Sequence, residues 1–431
     1  MNMLSKLLFG NSENISKRVY FWNLCSSMVY SLQSAILLLV VTRVGGLVEG
    51  GIFSIIYTVT QTLASLGSYS MRNYQVSDVK DDYNFETYYT SRIVTCVLMI
   101  LSCVVYTIYK GVSMDRFLIY MLFSVYRTVD GFEDVYHGAV QKLGRLDVVS
   151  IAMTFRITLS MIVFSIIYLI THSLLFASVG MVITAVVLLL GFNKIIFSEY
   201  TEIKRGIDFS KVFKLLTVCF PIFLGAILYS YLVNVPKYSI DNNLGEEVQT
   251  IFNILFMPVF VVNILSMFIF KPMVNQMGKW WNEGEIKKLL LSVIKQILII
   301  SGLTLLVIIG GYFLGCPVLG AVFGVDLSEY PLFFAILLSF GGIAALSTFL
   351  SVVLTIMRKQ GYIILGYVLG YVINLFVTDR LVIQYKINGA GYAYGVIMGV
   401  VIIVFIVVTG INFVIRYNEV KDGRTVKEDI S

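Results

Sequence analysis

Residues 121–145 read MLFSVYRTVDGFEDVYHGAVQKLGR, and the conflict inside this stretch decides how the chain must fold. It opens as an apolar helix, then carries Arg127, Asp130, Glu133, Asp134 and His137 before its apolar character is spent. On a helix, Arg127, Asp130, Asp134, His137 and Gln141 fall at i, i+3, i+7, i+10 and i+14, which is one stripe. The apolar run 117–125 sets Arg127 well inside a membrane rather than at its surface. Ionisable groups at that depth are costly, so they face a protein interior or a water-filled cavity. Two readings follow: the charges neutralise one another between packed helices, or they line the aqueous cavity of a transporter.

Composition settles the solvent. Hydrophobic residues make up 58% of the 431 residues and charged residues only 13%, with a mean hydropathy of +0.85. A soluble domain carries about 25% charged residues, so this chain is a polytopic membrane protein. Basic runs with interleaved aromatics are missing, which leaves nucleic-acid binding without support. Cys25, Cys96, Cys103, Cys219 and Cys316 have no metal-ligand spacing and read as apolar filler, with only Cys316 reaching the outer face. His137 and His172 make no zinc motif. The first apolar segment is long and lacks a small-residue cleavage site, so it is expected to remain as the first span.

At about 20 apolar residues per crossing, about twelve spans are expected. They fall at 18–42, 50–71, 92–110, 116–138, 148–171, 174–197, 213–236, 249–270, 289–313, 331–356, 361–383 and 391–415. Of the 32 lysines and arginines, only Arg43, Lys110, Arg116, Lys237, Arg380 and Lys386 fall on the expected outer side, while Arg127 and Arg156 sit within spans. The remainder, roughly four times as many as the outer set, lie on the inner side, which puts both termini in the cytoplasm. A charged linker near residue 205 divides the chain into lobes 1–205 and 206–431, each of six spans, around a central cavity. A faint repeat supports this: GIFSIIYT (Gly51–Thr58) is answered by TIFNILFM (Thr250–Met257).

Polar residues in the spans are patterned. Ser54, Thr58, Gln61, Ser65, Ser68 and Arg72 step along one face of the second span; Asn23, Ser27 and Ser34 do so in the first, with Gln33 adjoining. Singly, such residues most often glue helices together. A whole stripe beside charged helices points to a cavity. Arg156 lies about 13 Å deep, near the middle of a ~30 Å core, and Arg127 is at similar depth. Two guanidiniums there suit an anionic substrate, because the planar fork matches phosphate oxygens. The bland alternative is that Asp130 or Glu133 simply neutralises Arg156. His137 and the carboxylates are candidates for a coupling proton.

Every proline lies in the second half; Pro221 is expected to start the seventh span, Pro236 to end it and Pro258 to interrupt the eighth. Ser230, Asn234 and Lys237 form a polar edge towards the outer end of the seventh. Gly45, Gly46, Gly50 and Gly51 make the first hairpin adaptable, and Trp280 and Trp281 suit an interfacial anchor.

Three stretches carry a family likeness, RTVDGFEDVYHGAVQKLGR (Arg127–Arg145), PIFLG (Pro221–Gly225) and NVPKY (Asn234–Tyr238), with Tyr362–Gly366 and GAGYAYG (Gly389–Gly395) similar but less specific. With them, the chain resembles the Wzx-type polysaccharide-unit flippases of the MOP transporter superfamily along essentially its whole length. The resemblance implies an all-α, MATE-like pair of six-helix lobes around a cationic cavity. It implies a non-enzymatic, multi-pass protein of the bacterial cytoplasmic membrane. The implied task is moving an undecaprenyl-pyrophosphate-linked oligosaccharide to the outer leaflet by alternating access, for cell-surface polysaccharide assembly. No cofactor is expected beyond a coupling ion, H+ or Na+. The partners are the lipid-linked substrate, membrane lipid, and the polymerase and glycosyltransferases of polysaccharide assembly. Arg127, Asp130, Asp134, His137 and Arg156 would line the translocation cavity with Asn23, Gln33, Gln61, Asn234 and Lys237. The related lipid II flippases have two further helices that this chain lacks. A MATE-like antiporter of drugs or small solutes is one rival reading. A membrane glycosyltransferase or polymerase is another, weakened by an outer segment, 314–330, whose only acids are Asp326 and Glu329.

Overall fold

A computed structural model describes residue 8 and residues 15–78, 81–200 and 208–421. The expected lobe boundary near residue 205 lies outside the described residues. Among those described, all regular structure is helical.

The chain begins with a helical run, Ile15–Ser68, broken only at Gly46 (φ 80°, ψ −172°), which makes it α1 (15–45) and α2 (47–68). Gln61 Nε2 donates to Tyr30 Oη at 3.2 Å across 31 residues of sequence. A straight helix would hold them about 46 Å apart, so α2 folds back along α1. The seven-residue loop expected there shrinks to one glycine, whose positive φ is open to it without a Cβ penalty.

Next come α3 (Phe85–Lys110), α4 (Met114–Lys142), α5 (Leu146–Thr171) and α6 (Leu174–Tyr200). In the second half α7 is Phe209–Asn243, and α8 consists of Glu246–Phe256 and Val259–Phe270 with Pro258 at the break. α9 runs Ile286–Gly310 through a π turn at Gly311–Gly315 into Cys316–Phe323, and α10 is Pro331–Ile356. The run Gln360–Lys421 breaks at Lys386 (φ 53°, ψ −130°) into α11 (360–385) and α12 (387–421). Short helices, Met71–Ser77 and Val274–Asn282, lie on the connections.

Nine of the described segments are long and apolar enough to cross a membrane. Dividing the two broken runs and adding α4, whose charges spoil its apolarity, gives about twelve crossings of a ~30 Å core. The chain is a multi-pass membrane protein. Its outer faces confirm the solvent: Val105, Ile108, Ile170 and Ile403 are all more than half exposed, as side chains facing lipid would be.

The described chain forms two compact units, Met1–Ser230 and Tyr231–Ser431, and the division falls inside α7. In the first, Phe53 packs edge-on against Phe123 (5.8 Å between ring centroids) and beside Phe164. The start of α7 belongs to this unit, because Leu215 and Cys219 are buried with Met71, Tyr83, Tyr88 and Val135. In the second unit Phe256 meets Tyr394 at 5.0 Å and Phe270 meets Phe349 at 5.2 Å.

Several expectations need correction. α7 starts at Phe209 and ends at Asn243, so Pro221 and Pro236 lie inside it and neither starts nor ends it. Neighbouring groups in a bundle can satisfy the carbonyls that an interior proline frees. Lys237 is therefore a helix-interior residue, 9% exposed, and not a group of an outer loop. Arg92, at the edge of an expected span, is buried at 1% within α3, and Cys316 is buried at 2%. Pro258 does interrupt α8 as expected.

Candidate functional site

The charged stripe of α4 organises two centres, about one helical turn apart. Asp130 is the bridge of the first. Its Oδ2 accepts from Arg127 Nη1 at 2.9 Å, and its Oδ1 accepts from Arg156 Nη2, reaching over from α5, at 2.6 Å. Arg156 also donates to Glu133 Oε2 through Nη2 (2.7 Å) and Nε (3.1 Å). The Tyr126 ring lies between the guanidiniums, its centroid 5.7 Å from that of Arg127 and 5.5 Å from that of Arg156. Tyr57 covers Arg127 at 4.5 Å. Such cation–π contacts favour a guanidinium that has left water.

Hydrogen bonds from α1 and α2 hold these rings. Gln33, 1% exposed, donates from Nε2 to Tyr126 Oη at 2.6 Å, and Tyr57 Oη donates to Gln33 Oε1 at 3.5 Å. The Gln61–Tyr30 pair stands beside them. The fold-back at Gly46 is what brings Gln33 opposite Tyr57 and Tyr30 opposite Gln61.

The centre is electrically balanced but not saturated. Two arginines face two carboxylates, yet Arg127 Nε and Nη2 and Arg156 Nη1 are buried without an acceptor. Buried donors are satisfied in more than nine cases in ten, and these three nitrogens lie on two guanidiniums that share Asp130.

The second centre is built on Asp134. Its Oδ2 accepts from Arg92 Nη2 at 2.9 Å and its Oδ1 from Arg72 Nη1 at 3.4 Å. Arg72 also donates twice to Gln141 Oε1, at 3.2 and 2.8 Å. His137 Nε2 donates to the Val149 carbonyl at 3.0 Å, which leaves Nδ1 as acceptor 3.5 Å from Arg72 Nη1. Asp134 thus pairs with Arg72 and Arg92 and not with Arg127, although it shares a stripe with Arg127.

The other anticipated residues are dispersed. Asn23 on α1 is exposed, with its carbonyl accepting from Ser26. Asn234 and Lys237 belong to the second unit, where the Lys237 ammonium lies 5.3 Å from the Phe256 ring centroid. Structure brings Arg127, Asp130, Arg156, Gln33 and Gln61 together in one neighbourhood, and His137 with Asp134 in the next. Sequence reasoning did not single out Arg92, Tyr30, Tyr57 or Tyr126. Arg92 stands at the edge of an apolar run, where a snorkelling role is the default. The tyrosines carried a weak signal in their position opposite the polar residues of the first hairpin.

No family model matches the chain. Solved structures do. A multidrug-resistance MATE-family transporter of the MOP superfamily, in an inward-facing conformation, aligns with a TM-score of 0.66 at 12% identity, covering 92% of this chain and 96% of that one. A MOP-superfamily transporter from Pyrococcus furiosus, described as having a binding pocket of reversed polarity, aligns at 0.58 with 15% identity over 98% and 99%. The fold is that of the MOP transporter superfamily. Within the MOP fold the sequence is also similar to the capsular polysaccharide biosynthesis protein CapF of Staphylococcus aureus, 24% identical over 328 residues, which are 75% of this chain and 81% of that relative.

Proposed function

We propose that this chain is a flippase that moves an undecaprenyl-pyrophosphate-linked oligosaccharide unit from the inner to the outer leaflet during cell-surface polysaccharide assembly. The observation that carries the reading is the α4–α5 centre: two buried guanidiniums with three donor nitrogens that have no acceptor. Pyrophosphate oxygens, with their multiple lone pairs and negative charge, fit such donors, and charge-assisted bonds of this kind are roughly twice as strong as neutral ones. A pyrophosphate and its sugars do not cross hydrocarbon unaided, since each unpaired polar group costs several kcal/mol. The MOP fold and the likeness to a capsule biosynthesis protein support the same reading. Topology follows the charge bias, with both termini cytoplasmic and the chain in the bacterial plasma membrane. An H+ or Na+ gradient drives the cycle, and the polymerase and glycosyltransferases of polysaccharide assembly are its partners.

The fold is shared with multidrug transporters, so efflux of small molecules is the second reading. Buried arginines with open donors disfavour cationic drugs.

The test is a deletion strain complemented with wild-type protein or Arg127→Ala. The variant should reach the membrane at normal level, leave lipid-linked oligosaccharide on the inner leaflet and abolish surface polysaccharide. Normal surface polysaccharide with Arg127→Ala would falsify the assignment. Drug sensitivity of the deletion strain with unchanged surface polysaccharide would favour efflux instead.

A further inference from the structure

The two arginines of the first centre are not equivalent, and their difference assigns work to the acids. Arg156 is held by two carboxylates: Glu133 takes two of its N–H groups, and Asp130 takes one. Arg127 meets a single carboxylate, Asp130, through one bond, with the Tyr57 ring over it and Nε and Nη2 without an acceptor. Among the acids, the Glu133 side chain is 8% exposed and that of Asp130 15%, while both guanidiniums are 1% exposed or less. Around Arg127 stand Tyr30, Tyr57 and Gln61, all only partly buried. The more exposed carboxylate therefore sits against the guanidinium with more open donors, on the partly open side.

We propose that Asp130 is a resident counter-anion, which the pyrophosphate displaces from Arg127, while Glu133 keeps Arg156 neutralised throughout. The inference rests on the flippase reading for the identity of the anion, but the exchange itself needs only an anion with several oxygens. Without Asp130, an empty centre would leave Arg127 buried and unpaired, a costly state. With it, the anion must compete, so binding is weaker and release faster. Differential contact of this kind is what lets a ligand bias one state of a carrier over another. Asp130 acts here through Arg127 and is a positioning residue; Arg127 is the group that touches the anion.

The experiment uses full-length protein in nanodiscs, with undecaprenyl pyrophosphate and inorganic pyrophosphate as separate probes. Asp130→Asn should bind either probe about tenfold more tightly, a difference of ~1.4 kcal/mol, and flip substrate several-fold more slowly. Glu133→Gln removes the same charge from the same helix but should lower the melting temperature and gain no affinity. Equal tightening by both variants would reduce the effect to general field and overturn the inference; so would no tightening by a well-folded Asp130→Asn. A second measurement uses wild-type protein alone. Carbodiimide labelling of Asp130 should quicken when inorganic pyrophosphate is added, because the carboxylate is released; a slower or unchanged rate sinks the exchange. If inorganic pyrophosphate shows the exchange but the prenyl-linked probe does not bind, the substrate assignment fails and the exchange stands.

Discussion

Arg92 joins Asp134 at 2.9 Å while the other arm of the same guanidinium donates at 2.5 Å to the carbonyl of Gly67, one residue before the end of α2. Thr95 adds a bond to that carbonyl at 2.8 Å. The last carbonyls of a helix have no partner within it, and a cation there also suits the helix dipole. One buried side chain thereby ties α2, α3 and α4 together below the first centre. Arg92→Ala should cost about 3–5 kcal/mol, the range for breaking a buried pair by removing one partner. A melt of the purified variant in detergent checks this. Asp134→Asn, which leaves Arg92 its bond to Gly67, should cost less. Equal melting temperatures for wild type and Arg92→Ala would contradict the tie.

Gly389 stands where the second tight hairpin closes. A Cβ at that position would lie 1.9 Å from the Leu381 carbonyl oxygen and 2.4 Å from its carbon, both backbone atoms that cannot swing aside. Gly389→Ala should therefore force α11 and α12 apart and reduce the folded yield sharply. Gly399→Ala, which meets nothing within 4 Å, should fold normally and gains about 1 kcal/mol of helix propensity. Similar yields of the two variants would show that the hairpin is slack.

The sequence foretold depth and the acids that meet Arg156, but not the partners of Asp134. Arg127, Asp130 and Arg156 were legible because a charge in an apolar run has few places to go. Which acid meets which arginine depends on the rotation and offset of α4 against α5 and α3, and that is set by packing rather than by spacing. Hence Asp134 lies with Arg72 and Arg92, though it shares a stripe with Arg127. Gly46 and Lys386 were hidden for a different reason: hairpins this tight leave no loop-like composition, so the spans either side seemed separated by longer turns. Pro236 misled because an interior proline normally breaks a helix, a rule that neighbours in a membrane bundle relax.

Outside the membrane, Asp78 follows the short helix after α2 and receives four donors. Its Oδ1 accepts from the Asp82 amide (3.0 Å); its Oδ2 accepts from the Tyr83 amide (3.2 Å) and Tyr88 Oη (3.1 Å); Lys142 Nζ donates to its main-chain carbonyl. Burial by itself would raise its carboxyl, but those bonds and the Lys142 charge outweigh it and hold the group below its ordinary range. A depressed carboxylate stabilises the fold above its unfolded value, near 4, and the contribution disappears as pH falls through the folded value. Asp78→Asn should thus lower the melting temperature at pH 7 and match wild type once the pH is well below about 4. A gap between them that stays constant across that range would mean the charge of Asp78 is irrelevant to stability.

Lys237 separates stability from function in the second unit. Its side chain is 9% exposed on α7, its ammonium faces the Phe256 ring, and no carboxylate among the described residues pairs with it. Burying a charge without a partner is costly, so a fold optimised for stability alone would hold an apolar residue here. Lys237→Met, close in length and shape, should leave the melting temperature unchanged or raise it by a few degrees, since about 1 kcal/mol moves a domain of this size by 2–4 °C. If Lys237 serves the anionic substrate, the same variant should cut transport at least tenfold in the lipid-linked oligosaccharide assay. Lys237→Arg, which retains the charge, should recover part of that activity. A Met variant that is less stable but transports normally would assign Lys237 to the architecture and remove it from the substrate path.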